Sequence, residues 1–292
     1  IGGLRIAHID EGPRNGPVVL LMHGEPAWSF LYRKMIPILV NAGFRVLVPD
    51  QVGFGRTDKP VKRSDYTYDN HVRWMSAWLE SLNVNGITLF CQDWGSLIGL
   101  RMVAEMPERF DRVALGNGAL PTGTTPVPKA FKIWRAFSRY SPWFPIGRIV
   151  KAGCAQGLTP HEVAAYDAPF PSGKYRVGAR VFPGFVPTTP QDPERARNEA
   201  AWEVFKRWDK PFLTLFSTRD PITKGGEVIS IEGLETGEWV LVDCGDIVVH
   251  ILQPMLRSYY QLEGMWGAKP VRVKLAGSKG LAKASESEDD DE

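Results

Sequence analysis

The chain has 292 residues, 43% hydrophobic and 23% charged, with a net charge of +2. A chain of that length can bury a sizeable core, as one large domain or a domain carrying an insertion. The near balance of charge gives no electrostatic case for nucleic acid or a membrane surface, no run reaches the ~18 apolar residues of a membrane-crossing helix, and three scattered cysteines (Cys91, Cys154, Cys244) suit neither a disulfide framework nor a zinc site.

A reducing, cytoplasmic setting is the expectation from so few cysteines. Ten tryptophans are many for this length, and core packing is the plain reading for most of them.

Short apolar runs alternate with longer amphipathic ones along the chain. "GPVVLLMHG" (16–24), "GFRVLVPDQVG" (43–53), "GITLFCQDWG" (86–95), "RVALGNGAL" (112–120) and "KPFLTLFSTRD" (210–220) read as buried strands. Each is close to continuous in Val, Leu, Ile and Phe, as a parallel strand covered on both faces must be. Between them, "YDNHVRWMSAWLESL" (68–82) and "SLIGLRMVAEMPERF" (96–110) carry helical spacing. Strand–helix alternation predicts an α/β fold with right-handed crossovers, whose reactive groups lie beyond the carboxyl ends of the strands. His23, Asp50, Asp93, Asn117 and Asp220 all fall just past an apolar run.

Residues 121–200 break this rhythm. They are rich in proline and aromatics and hold helical pieces but no strand-like run, which predicts a helical cap over the sheet's carboxyl edge. The expected organisation is a core of residues 1–120 and 190–227, a cap of 121–189, a distinct segment 228–267 and a disordered charged tail 268–292 ending "SESEDDDE".

"LFCQDWGS" (89–96) carries the chemistry. A strand, then Asp93-Trp94-Gly95, then a small-residue helix is the setting of a nucleophile elbow, where a tight turn lifts one side chain above the sheet. A helix N-cap is the plainer reading of a lone Asp there. A carboxylate nucleophile displaces a leaving group from an sp³ carbon and leaves an alkyl ester on the enzyme. Water activated by a His–acid pair must then hydrolyse that ester, with an oxyanion held by two backbone N–H groups. Here those belong to Trp94 and to Glu25 in "HGEPAW" (23–28). An indole N–H donates without offering a basic lone pair, so Trp94 can solvate a departing halide.

On these residues the sequence resembles the haloalkane dehalogenases of the α/β-hydrolase superfamily, over about residues 1–227. The stretches "HGEPAWSFLYRKMIP", "DQVGFGRTDKP", "CQDWGSLIGLR", "PKAFKIWRAF", "YDAPFPSGKYRVGARVFP" and "KPFLTLFSTRDPITKGG" carry the likeness. The resemblance implies a mostly parallel sheet with helices on both faces and a helical cap insertion. It implies Asp93 as nucleophile, Trp94 and Trp134 as halide donors, Asp220 as the acid of the triad and Phe131 as a wall of the alkyl pocket. Glu25 matches the subfamily that uses two Trp donors, and simple pocket packing is the alternative for Trp134 and Phe131. No cofactor or metal is implied. The expected partners are a small haloalkane, water and the released halide, acting on a monomer.

The likeness breaks after about Glu227. "VISIEGLETGEWVLVDCGDIVVHILQPMLRSYYQLEGMWG" (228–267) instead resembles the C-terminal end of a ribosome silencing factor of the Iojap family, which suggests a chimeric chain. The family's start also holds about one strand more before "GLRIAHIDEG", so the sheet edge is expected to be frayed. Two readings of His250 compete. In one, "EWVLVD" (238–243) is the last strand, 254–266 the closing helix, and His250 hangs in a loop over Asp93 as general base. Its spacing from Asp220 and the following Ile-Leu-Gln favour this. In the other, 239–252 is a hairpin turning at Cys244-Gly245-Asp246, and His250 is a strand residue; the apolar "IVV" before it favours that. His23 belongs to the oxyanion loop, and His8, His71 and His161 carry no site signal.

Two rival functions stay open. An epoxide hydrolase shares the Asp nucleophile but needs cap hydroxyls, for which Tyr140, Tyr166 and Tyr175 are available. A catalytically dead chimera with a ribosome-binding C-terminal segment is the alternative of another class.

Overall fold

Five consecutive apolar residues, all buried, make β2 (Val18–Met22), and period-two alternation sends them to opposite faces of a sheet. Val18, Leu20 and Met22 enter the larger hydrophobic cluster, while Val19 and Leu21 enter a smaller one beneath helix α1 (Met35–Asn41). Burial on both faces is what a parallel strand covered by helices requires. The computed structural model describes residues 1–216 and, beyond them, the strand segments 230–232, 239–243 and 248–252.

The remaining strands are β1 (His8–Glu11), β3 (Arg45–Pro49), β4 (Ile87–Asp93), β5 (Phe110–Gly118) and β6 (Phe212–Leu215). They form a six-stranded sheet in the order β1-β3-β2-β4-β5-β6. Only β1 runs antiparallel, against β3 at the edge; β2 to β6 are parallel. All five expected strands are present. β1 went unread because "HIDE" carries three polar residues and only one aliphatic one.

Helix α2 (Tyr68–Leu82) begins at Thr67, whose side chain accepts the Asn70 N–H, and ends at Asn83 in the left-handed region. It buries Val72, Met75, Trp78 and Leu79 on the larger cluster. Helix α3 (Trp94–Glu105) is shorter than its spacing suggested. Pro107 cannot continue the ladder, and Phe110 already belongs to β5.

Between β5 and β6 the described chain is helical: α4 (Lys129–Tyr140), α5 (Ile146–Gly153), α6 (Pro160–Asp167), α7 (Val177–Val181) and α8 (Arg195–Phe205). A buried cation ties this insertion to the helix that carries the elbow. Arg101 of α3, 3% exposed at its side chain, pairs with Glu105 at 2.9 Å and with Glu194 at 3.2 Å, and donates to Asn198 of α8 at 3.2 Å. Asn198 in turn donates to the Pro121 carbonyl at 2.7 Å. Removing Arg101 strands the buried Asn198 and the largely buried Glu194 without their partner, so Arg101→Ala should lower unfolding free energy by about 3 kcal/mol in urea denaturation.

The three further strands, β7 (Ser230–Glu232), β8 (Trp239–Asp243) and β9 (Val248–Leu252), form a separate antiparallel sheet in the order β7-β8-β9. β8 therefore does not join the parallel sheet as its last strand. β8 and β9 pair as the hairpin alternative requires, with His250 opposite Leu241. The expected closing helix at 254–266 and the charged tail at 268–292 lie outside the described residues.

Candidate active site

The turn from β4 into α3 holds Asp93 at φ 48° and ψ −130°, a left-handed backbone that non-glycine residues adopt only under constraint. The N-cap reading fails here, since the Asp93 side chain caps no N–H of α3. Its carboxylate instead accepts the Glu25 N–H at 2.7 Å. The backbone N–H expected to be one of two oxyanion donors is thus aimed at a carboxylate oxygen of Asp93.

Two close approaches hold this geometry. A Cβ on Gly24 would meet the Asp93 Cβ and Oδ1 at 2.4 Å, and one on Gly95 would meet the Met22 carbonyl oxygen at 2.1 Å. Ser96, buried in α3, donates its hydroxyl to the Asp93 carbonyl at 2.5 Å and accepts the Ala119 N–H at 3.0 Å, clasping the elbow to the end of β5. Ser96 was not singled out in the sequence, where it reads as an ordinary small helix residue.

His23 is structural. Its Nε2 accepts the Gln51 N–H at 3.0 Å while Nδ1 lies 3.0 Å from the Gly24 carbonyl oxygen, which fixes the tautomer with the proton on Nδ1. Burial lowers its pKa despite the opposing field of Asp50. Asp50, also buried, accepts the Ser29 N–H at 2.8 Å and the Arg56 N–H at 2.9 Å, so it braces two loops. His71 is fully buried, packed 4.3 Å from the Phe182 ring, and burial pushes its pKa down to about 3. None of these is a base for a proton at Asp93.

A cavity of about 710 Å³ opens above the elbow. Glu25, Asp93, Trp94, Phe131 and Trp134 all line it, so three segments far apart in sequence meet around one space. Trp94 is almost wholly buried, edge-on to Tyr68 at 5.3 Å and to Phe182 at 4.6 Å. Trp134 stacks on Phe137 and Phe144, both at 5.8 Å. Most of the remaining lining is apolar, Leu97, Leu120, Val186 and Phe205 among it, with Thr122, Thr125, Thr214 and Lys210 as polar members. A mostly apolar pocket that holds the Asp93 and Glu25 carboxyls and, at the elbow and the cap, the indoles of Trp94 and Trp134 suits an uncharged alkyl substrate that loses an anion.

The sequence marked Glu25 by its backbone N–H and its subfamily match but left the state of its carboxyl unread. Burial above all, and then the facing Asp93, push its carboxyl well above the usual range, against a hydrogen bond from the Trp134 side chain. A carboxylate in an otherwise apolar cavity loop was the available signal. Tyr140, Tyr166 and Tyr175 do not line the cavity: Tyr140 is exposed, and the Tyr166 hydroxyl is 3.5 Å from Arg33. Asp220 lies outside the described residues. His250 is a strand position in β9 rather than the loop position expected of a base. Among the described residues no group of His, Cys, Asp and Glu could hold a metal ion, and no helix is long and apolar enough to cross a membrane.

Comparison with known proteins finds named relatives of the chain. Residues 17–148 match the family described as alpha/beta hydrolase fold, and residues 218–292 match the family described as ribosomal silencing factor during starvation. The second match begins before Asp220, earlier than the sequence break suggested. A haloalkane dehalogenase of Psychrobacter cryohalolentis is 55% identical over 226 residues, 77% of this chain and 75% of its own. Haloalkane dehalogenase 1 of Mycobacterium tuberculosis is 55% identical over 221 residues, 75% of this chain and 73% of its own. Among solved structures, a haloalkane dehalogenase from Paraglaciecola agarilytica, described as tetrameric, superposes with a TM-score of 0.73 at 36% identity, covering 76% of each chain.

Proposed function

The chain belongs to the haloalkane dehalogenases, enzymes of the α/β-hydrolase fold, joined to a silencing-factor-like segment, and we propose that it hydrolyses small haloalkanes through an alkyl ester on Asp93. The observation that carries this is one cavity holding Asp93, Trp94 and Trp134 together. Asp93 attacks the carbon bearing the halogen, the C–X bond breaks, and the halide leaves toward the two indole N–H groups. The backbone N–H groups of Glu25 and Trp94 then stabilise the oxyanion as water attacks the ester carbonyl. Phe131 packs against the alkyl chain. Hydrolysis needs a base; the family pattern offers His250 with Asp220, and the β8–β9 pairing that makes His250 a strand residue counts against it.

The test is halide release followed beside intact-protein mass spectrometry, after mixing with a short bromoalkane. Sustained release without an adduct supports the whole cycle, base included. One halide per chain with a trapped alkyl group on Asp93 supports the nucleophile half and removes His250 from the assignment. Neither signal overturns the function.

An epoxide hydrolase loses support, because its alkoxide would need a hydroxyl in the cavity and Tyr140, Tyr166 and Tyr175 stand outside it. Trp134→Phe should lower the halide-release rate about 10²-fold, the scale of removing one buried donor from a developing anion. Steady-state bromide release checks it. The working expectation of a cytoplasmic monomer is set against the tetrameric relative, and gel filtration with light scattering decides the oligomeric state.

A further inference from the structure

We propose that the outer face of α4 and the turn that follows it form a docking surface for an anionic lipid bilayer. Ile133, Tyr140 and Trp143 enter the headgroup layer there, between basic side chains that hold the lipid phosphates. The docking goes beyond the dehalogenase reading and does not depend on it.

The period of α4 sorts its side chains. Lys129, Ile133, Ala136 and Tyr140 recur at steps of four, three and four residues and form one exposed stripe, with Lys132 and Arg139 exposed beside it. The opposite face buries Phe131 and Ser138, and the Ser138 hydroxyl donates to the Arg180 carbonyl at 2.9 Å. Ile133 is 70% exposed, Tyr140 73% and, in the turn that follows, Trp143 59%. The Ser141 hydroxyl donates to the Trp143 carbonyl at 2.7 Å and braces that turn. Arg139 lies over the Tyr140 ring at 5.4 Å, and Arg148 of α5 over the Trp143 ring at 5.8 Å, so each exposed ring has a cation beside it. Single exposed apolar residues are ordinary, whereas three of them on one helix and its exit mark an interaction surface.

Charge selects the occupant. The chain's net charge of +2 is unevenly spread: residues 121–189 hold nine Lys and Arg against Glu162 and Asp167, a net charge of +7. Both carboxylates are already engaged, Glu162 with Arg33 and the Thr159 N–H, Asp167 with the Gly147 N–H at 2.9 Å. α4 itself has no acid. A symmetric contact between two copies would set this face against itself and oppose like charges. A polyanion such as RNA satisfies the cations but leaves Ile133 in water. An anionic bilayer answers both, since Trp and Tyr settle at headgroup level, an aliphatic side chain reaches the acyl boundary, and Lys and Arg meet the phosphates. Phe131 and Trp134 of the same helix line the cavity. On the dehalogenase reading, docking therefore sets that cavity beside the phase in which uncharged haloalkanes dissolve.

The experiment is flotation of the full chain with vesicles of phosphatidylcholine, alone or with about 30% phosphatidylglycerol to supply negative surface charge. Binding should require the anionic lipid and fall several-fold as sodium chloride rises from about 0.1 to about 0.5 M, because salt screens exposed charges. Ile133→Asp should weaken partitioning at least about tenfold, since it removes the aliphatic anchor and adds a like charge to the lipid's. Lys129→Glu with Lys132→Glu should weaken it at least as much, each basic side chain near such a surface being worth about fivefold. Urea midpoints should stay close to that of the unaltered chain, because all three positions are exposed. Equal binding to both vesicle types, or binding to neither, overturns the inference whether or not a variant folds. Unchanged binding in both variants also overturns it, by placing the lipid contact elsewhere in the chain. An oligomer that dissociates in Ile133→Asp while vesicles are ignored gives the face to a second copy, and retention of single-stranded RNA without vesicle binding gives it to nucleic acid; either result overturns the proposal.

Discussion

Asp93→Asn should release halide at least about 10⁴-fold more slowly than the unaltered chain, the scale on which a covalent nucleophile's removal is felt. The variant isolates chemistry from folding. Asn tolerates the left-handed φ of 48° as well as Asp does, and its Oδ1 can still accept the Glu25 N–H that reaches Asp93 at 2.7 Å. What is lost is the charge that the proposed mechanism uses to attack carbon. Intact mass should show no alkyl adduct after prolonged incubation, and urea denaturation should give a midpoint close to that of the unaltered chain. Halide release within tenfold of the unaltered rate would move the nucleophile elsewhere and dismantle the mechanism.

Gly95→Ala should cost at least about 3 kcal/mol and leave most of the protein insoluble, because a methyl group there has no unoccupied space to enter. Its Cβ would sit 2.1 Å from the Met22 carbonyl oxygen, 2.6 Å from the Met22 carbonyl carbon and 2.7 Å from the His23 oxygen. All three are backbone atoms at the carboxyl end of β2, and they cannot retreat without carrying the Glu25 N–H away from Asp93. Stability and activity should therefore fall together. Gly153→Ala is the control: nothing lies within 4 Å of its added Cβ, so its stability should change by less than about 1 kcal/mol. Equal urea midpoints for the two variants would show that the elbow is not under the steric constraint described.

Much of the fold could be read without coordinates, for a reason particular to parallel sheets. Strands buried on both faces need apolar runs, and β2 and β3 announce themselves that way; β6 carries the same kind of run although Leu213 and Leu215 are exposed in it. Helix α2 was legible to its ends because its spacing, its Thr67 cap and its Asn83 exit all agree. The elbow was legible because Asp-Trp-Gly-Ser after such a run has few structural uses. β1 was not, since an edge strand exposed on one side and crossed by Asp10 and Glu11 carries no continuous pattern.

By itself, then, the sequence determined the period of each element and the chemical kinds present at each strand end, because both depend only on near neighbours. Tertiary structure alone decided which of those groups share a cavity and what state they are in. Asp50 and Asp93 look alike in sequence, each a carboxylate past an apolar strand, yet backbone N–H groups of two loops consume Asp50 while Asp93 faces the pocket. Glu25 became a buried acid only because the fold closes around it and sets it opposite Asp93, far along the chain. The stretch 239–252 fits a loop-borne base and a hairpin equally well by pattern, and strand pairing between β8 and β9 chose the hairpin backbone. Burial and pairing are properties of what packs against a residue, and no window along the chain contains its packing partners.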